Sequence, residues 1–294
     1  MNKQKLSRKL LVALLTIAII GTAAVVLGCT SPTPTPTAVP TGNPTATPVP
    51  LAGTIKVVGS TSVQPYATDL SDNFTNKYPD AIAQVSGGGS GAGIKAAQDG
   101  TAQIGMSSRE LTQAEKDSGL KETVIAIDGI AIVVNNANGV SDLTTQQIRD
   151  IFAGNITNWK DVGGSDAAIT VVTREAGSGT RTAFQELVML NKVNITSSAV
   201  VQGSTGSITQ TVAGDKNAIG YISYGSLDNS VKALMVGGVA PSVATIKDKT
   251  YAIQRPFLYV TKGEVTDPVA KAFIAYTLSS EGQAILAQGK LVTV

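Results

Sequence analysis

From residue 54 to residue 213 the chain repeats one local pattern: a short β-branched run, a loop of Gly, Ser and Thr, and an amphipathic stretch. The runs at 54–58, 82–85, 103–106, 169–173 and 198–202 lead into loops at 59–62, 86–93, 107–109, 174–180 and 203–207. Hydrophobic period thus alternates between two and about 3.6 residues, which predicts strands alternating with helices. Such alternation implies α/β architecture, with parallel sheets covered by helices on both faces. Ligands of these sheets bind where the strands end, at their carboxyl edge. All five loops fall at that edge, and the helices behind them aim unpaired backbone N–H groups outward. Glycine permits close backbone approach, and Ser and Thr add hydroxyl donors. One such loop is an ordinary cap or turn. Five at equivalent positions, two of them carrying Arg109 and Arg174, point to a shared anion.

The N-terminal segment sets the compartment. Lys3, Lys5, Arg8 and Lys9 precede an apolar run at 10–26, a secretory pattern that is short for a stable transmembrane helix. The run closes on Val26-Leu27-Gly28-Cys29, which resembles a prokaryotic lipobox, so residues 1–28 read as a signal peptide and Cys29 as the lipidated residue. The alternative is an uncleaved anchor helix; both place the remainder outside the membrane. Residues 29–52 are a Pro/Thr-rich linker of extended, semi-rigid type. Cys29 is the one cysteine, so no internal disulfide forms.

Composition then narrows the chemistry. Setting aside the four cations of residues 1–29 moves the formal balance from +2 to −2. A near-neutral body argues against nucleic-acid binding, which needs a basic stripe. It also means that an anion must be held by local groups. There is no histidine, which removes the usual general base, metal ligand and triad member together. The Gly-rich run 87–93 is not a phosphate-binding P-loop, because Ile94 separates Gly93 from Lys95. A dinucleotide fingerprint fits its form, but the run follows the second strand rather than the first. Neither Ser90 nor Ser178 lies in a Gly-x-Ser-x-Gly elbow. The expectation is a binding protein with no catalytic residue, cofactor or metal.

The segments Val58-Gly-Ser-Thr-Ser-Val63, Gly87-Gly-Gly-Ser-Gly-Ala-Gly93, Ile104-Gly-Met-Ser-Ser-Arg-Glu110, Ile151-Phe-Ala-Gly-Asn-Ile-Thr-Asn-Trp-Lys160 and Thr173-Arg-Glu-Ala-Gly-Ser-Gly-Thr-Arg181 carry a resemblance. In order and spacing the chain resembles the phosphate-binding proteins of ABC importers, the PstS family of the periplasmic binding protein superfamily. That resemblance implies a two-lobe α/β fold of class II type, each lobe a mainly parallel sheet flanked by helices, joined by a two-stranded hinge. Crossings at 129–135 and 252–260 would divide it into lobe 1 (53–132 plus 258–294) and lobe 2 (133–257).

Residue by residue, the resemblance places Thr61, Ser62, Ser90, Arg174, Ser178, Gly179 and Thr180 on the phosphate. An arginine fork suits two phosphate oxygens. Two positions depart: Ser108 and Ala176 stand where well-known members carry aspartates, one of which accepts the ligand's proton. Asp128, before the hinge strand, is the substitute acceptor expected, with Glu175 second and Arg109 either a second guanidinium or the partner that orients Asp128. Trp159 reads as a packing anchor. The implied partners are inorganic phosphate, an ABC-type permease and the membrane through a lipid anchor, for a monomer. The alternatives are another oxyanion such as sulfate, molybdate or tungstate, a surface phosphate sensor, and, last, a phosphoryl-handling enzyme.

Overall fold

The structure, a computed structural model, describes residues 50–294; the signal segment, Cys29 and the linker up to residue 49 lie outside the described residues. The first lobe opens with β1 (Gly53–Gly59), α1 (Gln64–Lys77), β2 (Ala81–Ser86), α2 (Ser90–Asp99), β3 (Ile104–Ser107) and α3 (Gln113–Asp117). The long strand β4 (Leu120–Asn135) crosses to the second lobe. That lobe adds β5 (Asp142–Leu143), α4 (Thr145–Ala153), β6 (Thr170–Arg174), α5 (Gly179–Leu187), β7 (Val200–Gln202), α6 (Thr205–Gly214) and β8 (Ala218–Ser223). It ends with β9 (Val231–Ala233), β10 (Met235–Val236) and α7 (Val243–Lys247). Strand β11 (Gln254–Lys262) returns, and α8 (Pro268–Leu278) and α9 (Ser280–Gln288) finish the chain against the first lobe.

A single curled sheet runs through both lobes in the order β2-β1-β3-β11-β4-β8-β6-β7, with β9 also on β4. Strands β1, β2 and β3 pair in parallel, as do β6, β7 and β8. The middle is antiparallel, where β11 pairs with β3 and β4, and β4 with β8. Each lobe is thus a mainly parallel set of strands, as expected, and the antiparallel pairs gather at the crossing. The reason is topological: strands that leave a lobe and return to it must run in opposite directions. Strand β4 pairs with β11 as far as Gly129 and with β8 from Ile130 onward. The first crossing strand thus begins at Leu120, well before the apolar run at 129–135 that marks it in the sequence.

Both faces of β4 from Gly129 onward and of the middle of β11 are buried, and side chains alternate between cores. Along β4, Ile130, Ile132 and Val134 join Phe152, Trp159, Phe184 and Tyr221 on one face, while Ala131 and Val133 join Val172, Ile208 and Val212 on the other. Along β11, Phe257 and Tyr259 face Leu70, Phe74 and Phe273, while Leu258 and Val260 face Ile94, Ala97 and Leu111. This is why 130–134 and 257–260 read as continuous apolar runs rather than as an amphipathic alternation. Trp159 is buried in the second core, its indole N–H donating to the Asn217 carbonyl at 2.9 Å. Among the described residues, no helix is long and apolar enough to cross a membrane.

Helix α2 lies against β1 and β3 through glycines. A Cβ at Gly93 would stand 2.4 Å from the Val58 carbonyl oxygen and 2.7 Å from the Gly59 Cα, so only hydrogen fits there. This contact holds the start of α2, and with it Ser90, at the end of the strands. Gly93→Ala must push the helix off the sheet; overpacking of this kind costs about 1–3 kcal/mol. A lower midpoint in thermal unfolding followed by circular dichroism is the expected result.

Candidate functional site

Six strand ends converge where the lobes meet. Strands β1, β2 and β3 of the first lobe deliver Ser60–Ser62, Gly87–Ser90 and Ser107–Ser108, and strands β6, β7 and β8 of the second deliver Arg174–Thr180, Gly203–Thr205 and Ser223. Local chemistry fixes each delivery. Ser60 Oγ accepts the Ser62 N–H at 3.2 Å, and Pro65 occupies the first turn of α1. Gly89 precedes α2 at φ +89°, a left-handed value that a side chain resists. Ser178 and Ser204 cap α5 and α6, accepting N–H groups of Arg181 and Ser207 at 3.2 and 3.0 Å.

The delivered hydroxyls form two connected groups. Ser62 Oγ lies 2.9 Å from Thr180 Oγ1 and 2.9 Å from Thr205 Oγ1, joining first-lobe α1 to second-lobe α5 and α6. Ser60 Oγ donates to Ser108 Oγ at 2.9 Å, and Ser108 Oγ lies 3.3 Å from Ser90 Oγ. All six residues are buried. Thr61 is half-buried, and its hydroxyl accepts the Thr205 N–H at 3.3 Å. Gly179 sits where these groups meet: a Cβ there would lie 2.2 Å from Ser90 Oγ and 2.8 Å from Ser108 Oγ. Backbone contact reinforces the closure, with the Gly91 N–H donating to the Gly177 carbonyl at 3.0 Å.

Two guanidiniums border the hydroxyls. Arg174, 2% exposed, places Nη1 3.3 Å from Thr205 Oγ1 and gives Nε and Nη2 to the two carboxylate oxygens of Glu175 at 2.9 and 2.8 Å. Arg255 of β11, equally buried, gives Nη1 to the Ser108 carbonyl at 3.1 Å and Nη2 to Asp128 Oδ2 at 3.2 Å. Burial pushes the Asp128 carboxyl above the usual carboxylate range, opposed by the Arg255 charge and by donors from Ser223 and Gly225. Burial likewise lowers Arg255, opposed by the Asp128 charge. Among the described residues, no group of three His, Cys, Asp or Glu side chains could hold a metal.

Of the residues drawn from the sequence, Thr61, Ser62, Ser90, Ser108, Arg174, Ser178, Gly179 and Thr180 come together here. Arg109 does not. Its guanidinium turns away to a bidentate pair with Glu115, 2.8 Å on each side, and to the Glu110 carbonyl. Neither role expected for Arg109, a second guanidinium on the ligand or the partner of Asp128, is seen; Asp128 pairs with Arg255 instead, because β4 and β11 place those two residues opposite one another. Asp128 is beside the site, but its two oxygens already accept from Ser223, Gly225 and Arg255. Sequence reasoning passed over Ser60 and Thr205 as loop residues, and Arg255 altogether. The signal for Arg255 was a lone cation inside the apolar run 252–260.

Comparison with known proteins identifies the family and the fold. A family model described as a PBP superfamily domain matches residues 44–281. The chain is 33% identical over 237 residues to the phosphate-binding protein PstS of Bacillus subtilis, covering 79% of this chain and 77% of that protein. It is 30% identical over 243 residues to the phosphate-binding protein PstS of Borreliella burgdorferi, covering 79% and 87%. Among solved structures, a candidate phosphate ABC transporter substrate-binding protein from Clostridium perfringens, with bound phosphate, superposes with a TM-score of 0.80 at 45% identity. The match covers 82% of this chain and 100% of that one. An ABC-type phosphate transport receptor from Vibrio cholerae superposes with a TM-score of 0.69 at 38% identity, with the same coverage.

Gly179 is at the first position of α5 without a left-handed φ, so alanine suits its backbone. Its methyl group would instead wedge Ser90 and Ser108 of the opposite lobe. Because the clash is with the other lobe, Gly179→Ala is expected to open the cleft rather than to unfold either lobe. It should weaken capture of phosphate by about 5- to 150-fold, the equivalent of 1–3 kcal/mol of overpacking on closure. Calorimetry together with small-angle scattering, which reads the open form directly, checks both.

Proposed function

The chain belongs to the PstS family of phosphate-binding proteins, and from that membership we propose that it captures inorganic phosphate between its lobes for delivery to an ABC-type importer. The observation that carries this reading is the meeting of buried Ser62, Thr180, Thr205, Ser60, Ser108 and Ser90 from both lobes beside the Arg174 fork. Hydroxyl hydrogens rotate, so groups that bond to one another across the cleft can turn onto the oxygens of an anion. The first turns of α2 and α5 add backbone donors and the positive ends of their dipoles. Arg174 supplies charge-assisted bonds, strengthened because water is excluded. Capture is a closure of the two lobes about the β4–β11 crossing, with no covalent step.

In this reading the lobes comprise 53–132 with 258–294, and 133–257. The ligand contacts are Thr61, Ser62, Ser90, Ser108, Arg174, Ser178, Gly179 and Thr180, to which we add Thr205; Asp128 acts from behind, through Arg255. The protein works outside the cytoplasm as a monomer, released by cleavage after residue 28, tethered by acylated Cys29 and held clear of the membrane by the Pro/Thr-rich linker.

The ligand's proton needs an acceptor. Ser108 stands where the resemblance has an aspartate, and its hydroxyl can receive that proton in a hydrogen bond. A hydroxyl can also donate, so it discriminates less sharply than a carboxylate against an unprotonated anion. This favours a second reading in part: other tetrahedral oxyanions enter the same site.

Calorimetric titration of the full-length protein in detergent is expected to give one phosphate per chain, with the affinity falling at least about 100-fold in Arg174→Ala, the equivalent of two charge-assisted hydrogen bonds. Heat from molybdate or sulfate with none from phosphate would replace the ligand. Sulfate in large excess is expected to compete with phosphate in the natural protein and to stop competing in Ser108→Asp, as read by displacement of radiolabelled phosphate.

A further inference from the structure

Among the described residues one salt bridge has both side chains almost wholly buried, Arg255–Asp128 at the crossing of the lobes. We propose that Arg255 is a positioning residue of the oxyanion site: it holds the Ser108 peptide by its carbonyl, while Asp128, itself bonded to Ser223 and Gly225, ties the guanidinium to the end of β8. The inference rests on the phosphate reading of the same site and adds a residue that acts through Ser108.

The contacts form one chain from lobe to lobe. Strands β4 and β11 set Arg255 directly opposite Asp128 in antiparallel register. From that position Nε and Nη2 reach Asp128 Oδ2 at 3.4 and 3.2 Å, and Nη1 reaches the Ser108 carbonyl at 3.1 Å. The other carboxylate oxygen accepts Ser223 Oγ at 2.9 Å and the Gly225 N–H at 3.4 Å, both at the end of β8. Ser108 is thereby fixed at three points: its N–H donates to Ser90 Oγ at 3.1 Å, its carbonyl accepts from Arg255, and its hydroxyl joins Ser60 and Ser90. Without the guanidinium, the Ser108 carbonyl would lose its buried donor and the peptide would be free to turn. Two partners in different directions require a planar fork. A lysine could pair with Asp128 as a point charge, but its single nitrogen would not serve the Ser108 carbonyl as well. The face of Phe257, 5.4 Å from the guanidinium carbon, fixes the fork's plane.

The test compares Arg255→Lys, Asp128→Asn and the double variant as full-length proteins in detergent, measuring phosphate Kd, thermal midpoint and hydrogen–deuterium exchange at residues 107–109. Arg255→Lys is expected to unfold close to the natural temperature, yet bind phosphate about 10- to 100-fold more weakly, the value of a buried hydrogen bond from a charged donor. Exchange at 107–109 should quicken before any ligand is added. Asp128→Asn should weaken binding too, and the double variant should lose no more than its worse parent, since both residues act as one unit. Natural affinity in Arg255→Lys would overturn the proposal, as would losses that add in the double variant or merely track the thermal midpoint. Tighter binding in Asp128→Asn would mean that the freed Arg255 charge, rather than its position, governs the site, and would overturn it as well. If the natural protein takes up no phosphate, the ligand reading fails; exchange at 107–109 still decides the positioning role.

Discussion

The antiparallel pairing of β4 with β11 is the constraint on which the rest of the molecule depends. Each strand completes one half of the sheet: β11 extends β1–β3, and the far half of β4 extends β6–β8. Because the same two strands supply both halves, the carboxyl ends of both parallel sets face one another across the crossing. A buried ion pair at this point is costly to desolvate and adds little stability compared with a packed apolar pair. What Arg255 and Asp128 offer instead is direction, since their hydrogen bonds run outward to Ser108 on one side and to Ser223 on the other.

Hydroxyl groups suit the cleft between such lobes. A buried cation with no partner would be strongly penalised, and an unpaired carboxylate equally so. A serine or threonine loses much less on burial, and it can satisfy a neighbouring hydroxyl or an anion with the same atom. Ser62, Thr180 and Thr205 illustrate this, each within hydrogen-bond distance of another across the lobe boundary. The glycines complete the arrangement by removing bulk: Gly93 lets α2 press against the sheet, and Gly179 lets α5 approach Ser90.

Local patterns were legible in the sequence, and long-range pairings were not. The strands at 54–58 and 82–85, the Gly/Ser/Thr loops at their ends and the helices behind those loops follow from patterns within about fifteen residues, whereas the particular residues expected on the ligand came from the family resemblance. Thr205 was visible as part of a loop but could not be ranked above Ser204, which caps α6, or Ser207, whose N–H that cap accepts. Arg109 was misplaced because its partner is local and was overlooked. Thr112-x-x-Glu115 is a capping box that seats the Glu115 carboxylate at the start of α3, within reach of Arg109. Arg255 was missed for the opposite reason. Its partner is 127 residues away in sequence, and only the register of two strands brings them together.

Charge balance explains how so neutral a chain can hold an anion. Each buried arginine has its own carboxylate, Glu175 for Arg174 and Asp128 for Arg255, so the four groups together bring no net formal charge to the cleft. In the proposed site, attraction for a ligand comes from what the pairs leave over: the Arg174 Nη1 edge, the hydroxyls and the helix starts. Such donors are directional, and they count the oxygens of a ligand rather than its total charge. A tetrahedral anion fills them whether or not it carries a proton, and a planar carboxylate does not. In the proposed site, shape is therefore selected first and protonation is sensed at Ser108, whose carbonyl accepts from Arg255 of the crossing strand.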